Sequence, residues 1–347
     1  MECLEFKDSK QVHKNVPAYF FDDVITFDHI YNSITECYKV TPWKRSSQLG
    51  FKNIVLNTQK LYEALCDETY MPKEPRKFII SERGKTRNID SFAFLDKVIQ
   101  KVLAQNVLLK IIDKSCIYDT YACLKGRGIT KAGDRLSTFL VSCKNKYKEF
   151  GVAKIDIKSY FESINTEIML SLIKDLVDDK LFRLFKRLYK DDNLSLGSEL
   201  NQLFATLYLN KIDHKIKEIY KIKYYVRYQD DFVLLDENVE YLKFVVANLE
   251  RDFKDIKLKI NQKKTKVCKF KRVEFLKIQY TFKNGKLCKR KTNNSTKFLI
   301  RKIRKLKKLN LDKQYLLNYE KSILGQFTHL NNLPKIANEL HKLVYQN

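Results

Sequence analysis

The chain has 347 residues, 44% of them hydrophobic and 12% aromatic, which is enough for two or three subdomains with real cores and excludes a disordered tail. Lys and Arg number 67 against 41 Asp and Glu, and the resulting charge of +26 attracts polyanions, nucleic acid above all, although a merely lysine-rich protein would share it. No apolar run approaches a membrane span, the polar start lacks a signal-peptide core, and neither the eight cysteines nor the five histidines fall at zinc-site spacing, so we expect a cytoplasmic protein with reduced thiols and no membrane partner.

Residues 1–75 read as mostly helical, with Leu56, Leu61 and Leu65 near helical spacing. Two strand-like runs between Lys77 and Ile89 flank a turn at Gly84 and display Lys85 and Arg87; a helical stretch covers about 92–112. Val152 to Ile157 is a short apolar strand interrupted by Asp156, and a buried strand does not carry an unpaired charge cheaply. Helical patterns fill 166–189. Leu196-Gly197-Ser198-Glu199 then opens a long amphipathic run.

Residues 224–235 read Tyr-Tyr-Val-Arg-Tyr-Gln-Asp-Asp-Phe-Val-Leu-Leu, two strand-like runs around one polar break, which predicts a β-hairpin with Asp230 and Asp231 at its tip. Beyond it the pattern predicts a helix over 238–253, strands over 257–260 and 274–280, and, after Lys286, a basic helical module that includes Arg301, Arg304, Lys305 and Lys308.

Two adjacent carboxylates repel unless a cation sits between them, and magnesium, with manganese as a substitute, suits one or two carboxylates plus substrate phosphates. A solvated Asp-Asp turn is the bland alternative. If the strand of Asp156 pairs with the hairpin, three carboxylates meet at one sheet edge. Three acids around two ions about 4 Å apart serve nucleotidyl transfer, one ion acidifying a 3′-hydroxyl and the other neutralising pyrophosphate. Lys85 and Arg87 would clamp a triphosphate. Phe161 would press its ring on the incoming sugar and exclude a 2′-hydroxyl, or else be a core aromatic. Lys264 would donate a proton to pyrophosphate. Arg301, Arg304, Lys305 and Lys308 would track a nucleic-acid backbone, or form a solvated face.

The order of these segments resembles a reverse transcriptase over roughly residues 75–330. Lys154 to Phe161 resembles motif A, Leu196 to Gln202 motif B, Tyr228 to Asp231 motif C, Asn261 to Thr265 motif D, and Phe275 to Lys277 motif E. The resemblance implies an α+β right-hand polymerase, with an N-terminal helical extension (1–75), fingers (76–150), a palm of antiparallel sheet and helices with part of the fingers inserted (151–280) and a short basic helical thumb (281–347). It implies Asp156, Asp230 and Asp231 as catalytic ligands of two Mg2+ ions, and Lys85, Arg87, Phe161, Gly197, Gln202 and Lys264 at the dNTP. RNA template, cDNA product and dNTPs are the implied partners, joined by an accessory protein or a second copy of the chain.

Tyr121 to Gly128 and Gln202 look like compact bacterial enzymes of diversity-generating retroelements and defence-associated groups. The chain departs from these patterns at Asn201, where the diversity-generating type has Ser, at Leu196, where retroviral enzymes have Gln, and at Lys277, where motif E usually has Gly. About 40 residues follow the basic helix, too few for an RNase H domain, and neither an HNH tail nor retron signatures are found. The expectation is an RNA-directed DNA polymerase copying a dedicated non-coding RNA in anti-phage defence. The alternatives are mutagenic cDNA synthesis in a diversity-generating retroelement, untemplated or protein-primed synthesis on the same fold, an RNA-dependent RNA polymerase or palm-domain cyclase, and a non-enzymatic RNA scaffold.

Overall fold

A computed structural model describes residues 18–347 except 83–84, 190–193, 310, 326–329, 332–336, 339, 343–344 and 346–347; at 82, 85, 293–296, 303–304 and 307 it describes the backbone alone. The chain divides into two compact units. The first takes Met1–Gly128, Ile157–Lys221 and Ala247–Asn261, the second Ile129–Asp156, Ile222–Val246 and Gln262–Asn347.

The first unit is built on helices. Thr26 caps the helix Phe27–Val40 by accepting the N–H of His29 on its side chain, and this helix packs on Ile54–Cys66 and Phe94–Leu103. Phe94–Leu103 continues through a π-helical turn, Ala104–Leu108, into Leu109–Ser115. Val98, Ile99, Val102, Leu103, Val107, Leu108, Ile111 and Ile112 on this rod are wholly buried. Each large apolar side chain removed from water there contributes about 1.5–3 kcal/mol, which makes the rod the core of the unit. Glu199–Tyr208 lies against it. A two-stranded antiparallel ribbon, β1 (Arg76–Glu82) and β2 (Lys85–Ser91), leaves Phe78, Ile79 and Ile80 exposed.

The second unit is built on antiparallel sheets. β3 (Gly151–Asp156), β4 (Tyr224–Tyr228), β5 (Asp231–Asp236) and β6 (Lys266–Lys269) form one sheet in the order β4-β5-β3-β6. Its central strands are almost continuously buried, so they read as apolar runs rather than alternations. Helix Ile129–Lys146 packs on β4 and β5, with Phe139 edge-on to Tyr224 at 5.5 Å between ring centroids. A second sheet of β7 (Arg272–Phe275), β8 (Ile278–Lys283) and β9 (Lys286–Lys291) precedes the helices Asn293–Lys307 and Lys313–Gly325.

The mixed helix and antiparallel-sheet class agrees with the sequence reading, while several local expectations are corrected. Residues 257–260 form no strand: Lys257 is left-handed (φ 58°) and only Ile260 makes a bridge, to Ile157. The strand there is β6, too charged to read as one. The run 274–280 is a hairpin, because Leu276 and Lys277 turn the chain with positive φ (51° and 65°). β9 delays the basic helix to Asn293. The helical patterns expected over 166–189 are present as two helices, Thr166–Ser171 and Asp179–Leu188. The turn expected at Gly84 lies outside the described residues.

Candidate active site

The site grows from the register of one ladder. β3 and β5 pair so that Asp156, the last residue of β3, lies opposite Asp231, the first of β5. Tyr228 also pairs with Asp231, so β4 and β5 are joined by Gln229 and Asp230 alone. Gln229 takes the left-handed conformation at φ 52°, an uncommon state for a residue with a Cβ. The fully buried Arg227 donates from its guanidinium to the Gln229 carbonyl at 3.1 Å, tying the turn down from within the sheet. The hairpin break is thus one residue shorter than Gln-Asp-Asp, and Asp231 belongs to a strand.

Lysines answer the carboxylates. Lys264 Nζ lies 2.8 and 3.1 Å from the two carboxylate oxygens of Asp156. The hydroxyl of Thr265 accepts the N–H of Asp156 at 3.3 Å, which fixes the segment bearing Lys264 against the end of β3. Lys154 lies two residues before Asp156 and so on the same face of β3; its Nζ donates to the Glu274 carbonyl at 2.6 Å and stands 3.6 Å from Asp231 Oδ1. The N–H of Leu276, in the β7–β8 turn, also serves the Asp231 carboxylate.

Burial pushes Asp231 up to about 6, and the carboxylates of Asp230 and Asp156 push the same way, against the Lys154 ammonium and the Leu276 N–H. Its Oδ1 is buried with no hydrogen-bond partner among the described residues. An oxygen of that kind, opposite a second carboxylate, suits a hard cation, and magnesium needs only one or two carboxylates beside substrate phosphates. Among the described residues no three His, Cys, Asp or Glu side chains converge into a closed metal cage. The donor set therefore fits an open, substrate-completed site centred on Asp156 and Asp231, with Asp230 on the adjoining turn.

The other expected site residues lie as follows. Arg87 is exposed on β2 opposite Ile80, and Lys85 opens that strand opposite Glu82, its side chain lying outside what is described. Phe161 is half-buried in the short helix Tyr160–Ser163, its ring edge-on to that of Tyr160. Tyr160 is anchored through its hydroxyl to the Ala205 carbonyl. Gly197 has φ 131° and a Cβ there would collide with the Asp90 carbonyl, so the loop before Glu199–Tyr208 can press on β2 only as glycine. Cys123 Sγ donates to Gln202 Oε1 at 3.6 Å. All these belong to the first unit, whereas Asp156, Asp230, Asp231 and Lys264 belong to the second. Arg301, Lys305 and Lys308 are exposed along or just past Asn293–Lys307, and the Arg304 side chain lies outside the described residues.

The sequence model of the reverse transcriptase (RNA-dependent DNA polymerase) family matches residues 71–317. The chain belongs to that family. Reverse transcriptases are RNA-directed DNA polymerases, a class of nucleotidyltransferases that uses divalent metal ions. No curated protein matches the chain in sequence. Among solved structures, telomerase from Candida albicans in complex with a TWJ fragment of telomeric RNA is similar at 12% identity and a TM-score of 0.52, over 84% of this chain and 58% of that one. Apo telomerase from Candida tropicalis, truncated from its C-terminal domain, has 13% identity and a TM-score of 0.49, over 68% of this chain and 60% of that one. This reverse transcriptase thus shares the polymerase fold of the first and spans under two thirds of either chain. Among its described residues no helix is long and apolar enough to cross a membrane.

Lys154, Thr265, Arg227 and the Leu276 N–H were missed in the sequence. For Lys154 a signal existed, since alternation along β3 puts 154 and 156 on one face; for the others, register alone supplies the contact.

Proposed function

We propose that this reverse transcriptase copies RNA into DNA from dNTPs, with Asp156, Asp230 and Asp231 as the catalytic carboxylates. The observation that carries the reading is the register opposition of Asp156 and Asp231 beside the Gln229–Asp230 turn. Asp156 and Asp231, with Asp230, would hold magnesium, for which manganese can substitute. Bound there, such ions would supply the acidification of a primer 3′-hydroxyl and the neutralisation of the leaving pyrophosphate. The chain itself positions and neutralises. Lys264 passes from Asp156 to the pyrophosphate as proton donor. Lys85, Arg87, Gly197 and Gln202 bind the dNTP, Phe161 excludes a 2′-hydroxyl, and Arg301, Arg304, Lys305 and Lys308 follow the duplex backbone. In this reading 76–150 act as fingers, 151–280 as palm and 281–347 as thumb, behind the helical extension 1–75.

We further propose a compact bacterial enzyme of the cytoplasm that copies a non-coding RNA from its own locus in anti-phage defence. Asn201 supports this choice over diversity generation. It is buried in a brace, accepting from Tyr189 Oη at 2.6 Å and donating to the Ser195 carbonyl at 2.9 Å. The Ser usual in diversity-generating enzymes is shorter by one group and could not span both partners.

Sequencing the RNA and DNA that co-purify with the protein from cells carrying its native locus tests the role, with Asp230→Ala as the control that separates synthesis from capture. Faithful or repetitive DNA from one neighbouring RNA, rising on phage challenge, supports defence. Substitutions concentrated at template adenines would replace defence with diversity generation.

A further inference from the structure

The first unit contains a basic concavity whose lining, Gly197 excepted, the catalytic reading does not use. A cavity of about 660 Å³ is walled by the end of helix Phe27–Val40 and the start of Arg45–Lys52, by the residues around β1 and β2, and by Gly197–Glu199. Lys101, in its wall, is taken up by Glu36 and Glu199 at 3.1 and 3.4 Å. Lys44, Lys73, Arg76 and Lys97 also line it, and among the described residues none of these four cationic side chains pairs with a carboxylate, Lys73 reaching Asp96 through its backbone N–H alone; Glu74 is the remaining acid in the wall.

Such crowding of like charge is unfavourable unless an anion completes it. Burial, and after it the Lys44 ammonium, hold Lys97 below the usual lysine range. Ser198 supplies an independent observation. It lines the same cavity, is 5% exposed, and its hydroxyl has no hydrogen-bond partner among the described residues. A buried hydroxyl left unmatched is costly, so the site is incomplete as it stands.

The neighbourhood narrows the anion. Trp43, beside Lys44 in the chain, is 72% exposed, and Val40 in the wall is 68% exposed. An exposed indole next to a cationic hollow offers a stacking face to an unpaired base while the hollow takes phosphates. A paired duplex would not present that base. Ser198 can match a 2′-hydroxyl, which RNA has and DNA lacks.

We propose that this cavity binds single-stranded RNA, with phosphates against Lys44, Lys73, Arg76 and Lys97 and a base stacked on Trp43. The proposal deepens the polymerase reading only in naming where RNA is held, and it is tested without catalysis. Binding of fluorescein-labelled U15 RNA to the full chain is followed by anisotropy in EDTA between 50 and 200 mM salt, with circular dichroism as a check of folding. For Lys44→Gln/Lys97→Gln we expect about a tenfold loss of affinity and a salt slope smaller by about 2. For Trp43→Ala, at a site that contributes nothing to the core, we expect about a tenfold loss with the slope unchanged.

Unchanged affinity and slope in both variants would overturn the proposal. So would a loss confined to labelled dATP with RNA binding intact, which would make the cavity a mononucleotide site. If the wild type extends no primer while the cavity variants still lose RNA, the cavity stands and the polymerase reading falls.

Discussion

Asp156 and Asp231 are partners in the last pair of the β3–β5 ladder, and each carboxylate has its own lysine, Lys264 at 2.8 Å from Asp156 and Lys154 at 3.6 Å from Asp231. Two anions at one sheet edge are thereby held by two movable cations. A metal ion must compete with them.

Lys264 is half exposed and its ion pair is screened, so its hold on Asp156 is worth about 1 kcal/mol at most. Lys264→Met should therefore tighten Mn2+ binding up to about fivefold, read by electron paramagnetic resonance without nucleotide, while slowing turnover. Equal or weaker Mn2+ binding would show that Lys264 does not compete for Asp156.

Asp231 holds its proton more tightly when folded than when unfolded, since its pKa is raised from 3.8 to about 6. Between these values the folded chain binds more protons than the unfolded chain, so this group's contribution to stability falls as pH rises from about 4 to about 6 and stays low above. Asp231→Asn lacks that loss. In metal-free buffer at pH 8 it should be more stable than the wild type by about 1–3 kcal/mol, and near wild type at pH 4. Parallel urea denaturation midpoints across the pH range would contradict this.

Gly197 meets the Asp90 backbone from a left-handed conformation, and β2 is stitched to its loop by the Asp90 N–H donating to the Leu196 carbonyl at 2.8 Å. Gly197→Ala should cost about 3 kcal/mol and lower the melting temperature clearly. A shift within experimental scatter would mean the loop relaxes freely.

Lys277 has φ 65° in a two-residue turn that favours glycine there. Lys277→Gly should stabilise the chain by about 1 kcal/mol in chemical denaturation. Destabilisation would indicate that its side chain contributes more than the strained backbone costs.

These contacts show what the sequence could and could not reveal. The hairpin 224–235 was legible because aromatic and β-branched residues fill both strands and the polar break is short. β3 was legible because one carboxylate interrupts an apolar run. β6 was not, because Lys266-Val-Cys-Lys269 sits at an edge where exposed lysines are tolerated and no alternation survives. The β7–β8 turn was hidden because Leu and Lys occupy positions where Asn-Gly would have announced it. Among the site residues, Asp156, Asp230 and Asp231 stood out by charge in apolar surroundings. Lys154 stood out less: alternation along β3 puts it on the face of Asp156, but only the pairing of β3 with β5 places it beside the Asp231 carboxylate.

The most direct test is primer extension on a defined RNA template with labelled dNTPs and Mg2+, comparing wild type with Asp156→Asn and Asp230→Ala. The account predicts template-complementary DNA from the wild type, loss of at least a thousandfold in rate for either variant, and RNA affinity unchanged in both. Undiminished synthesis by either variant, or none by the wild type, would contradict it.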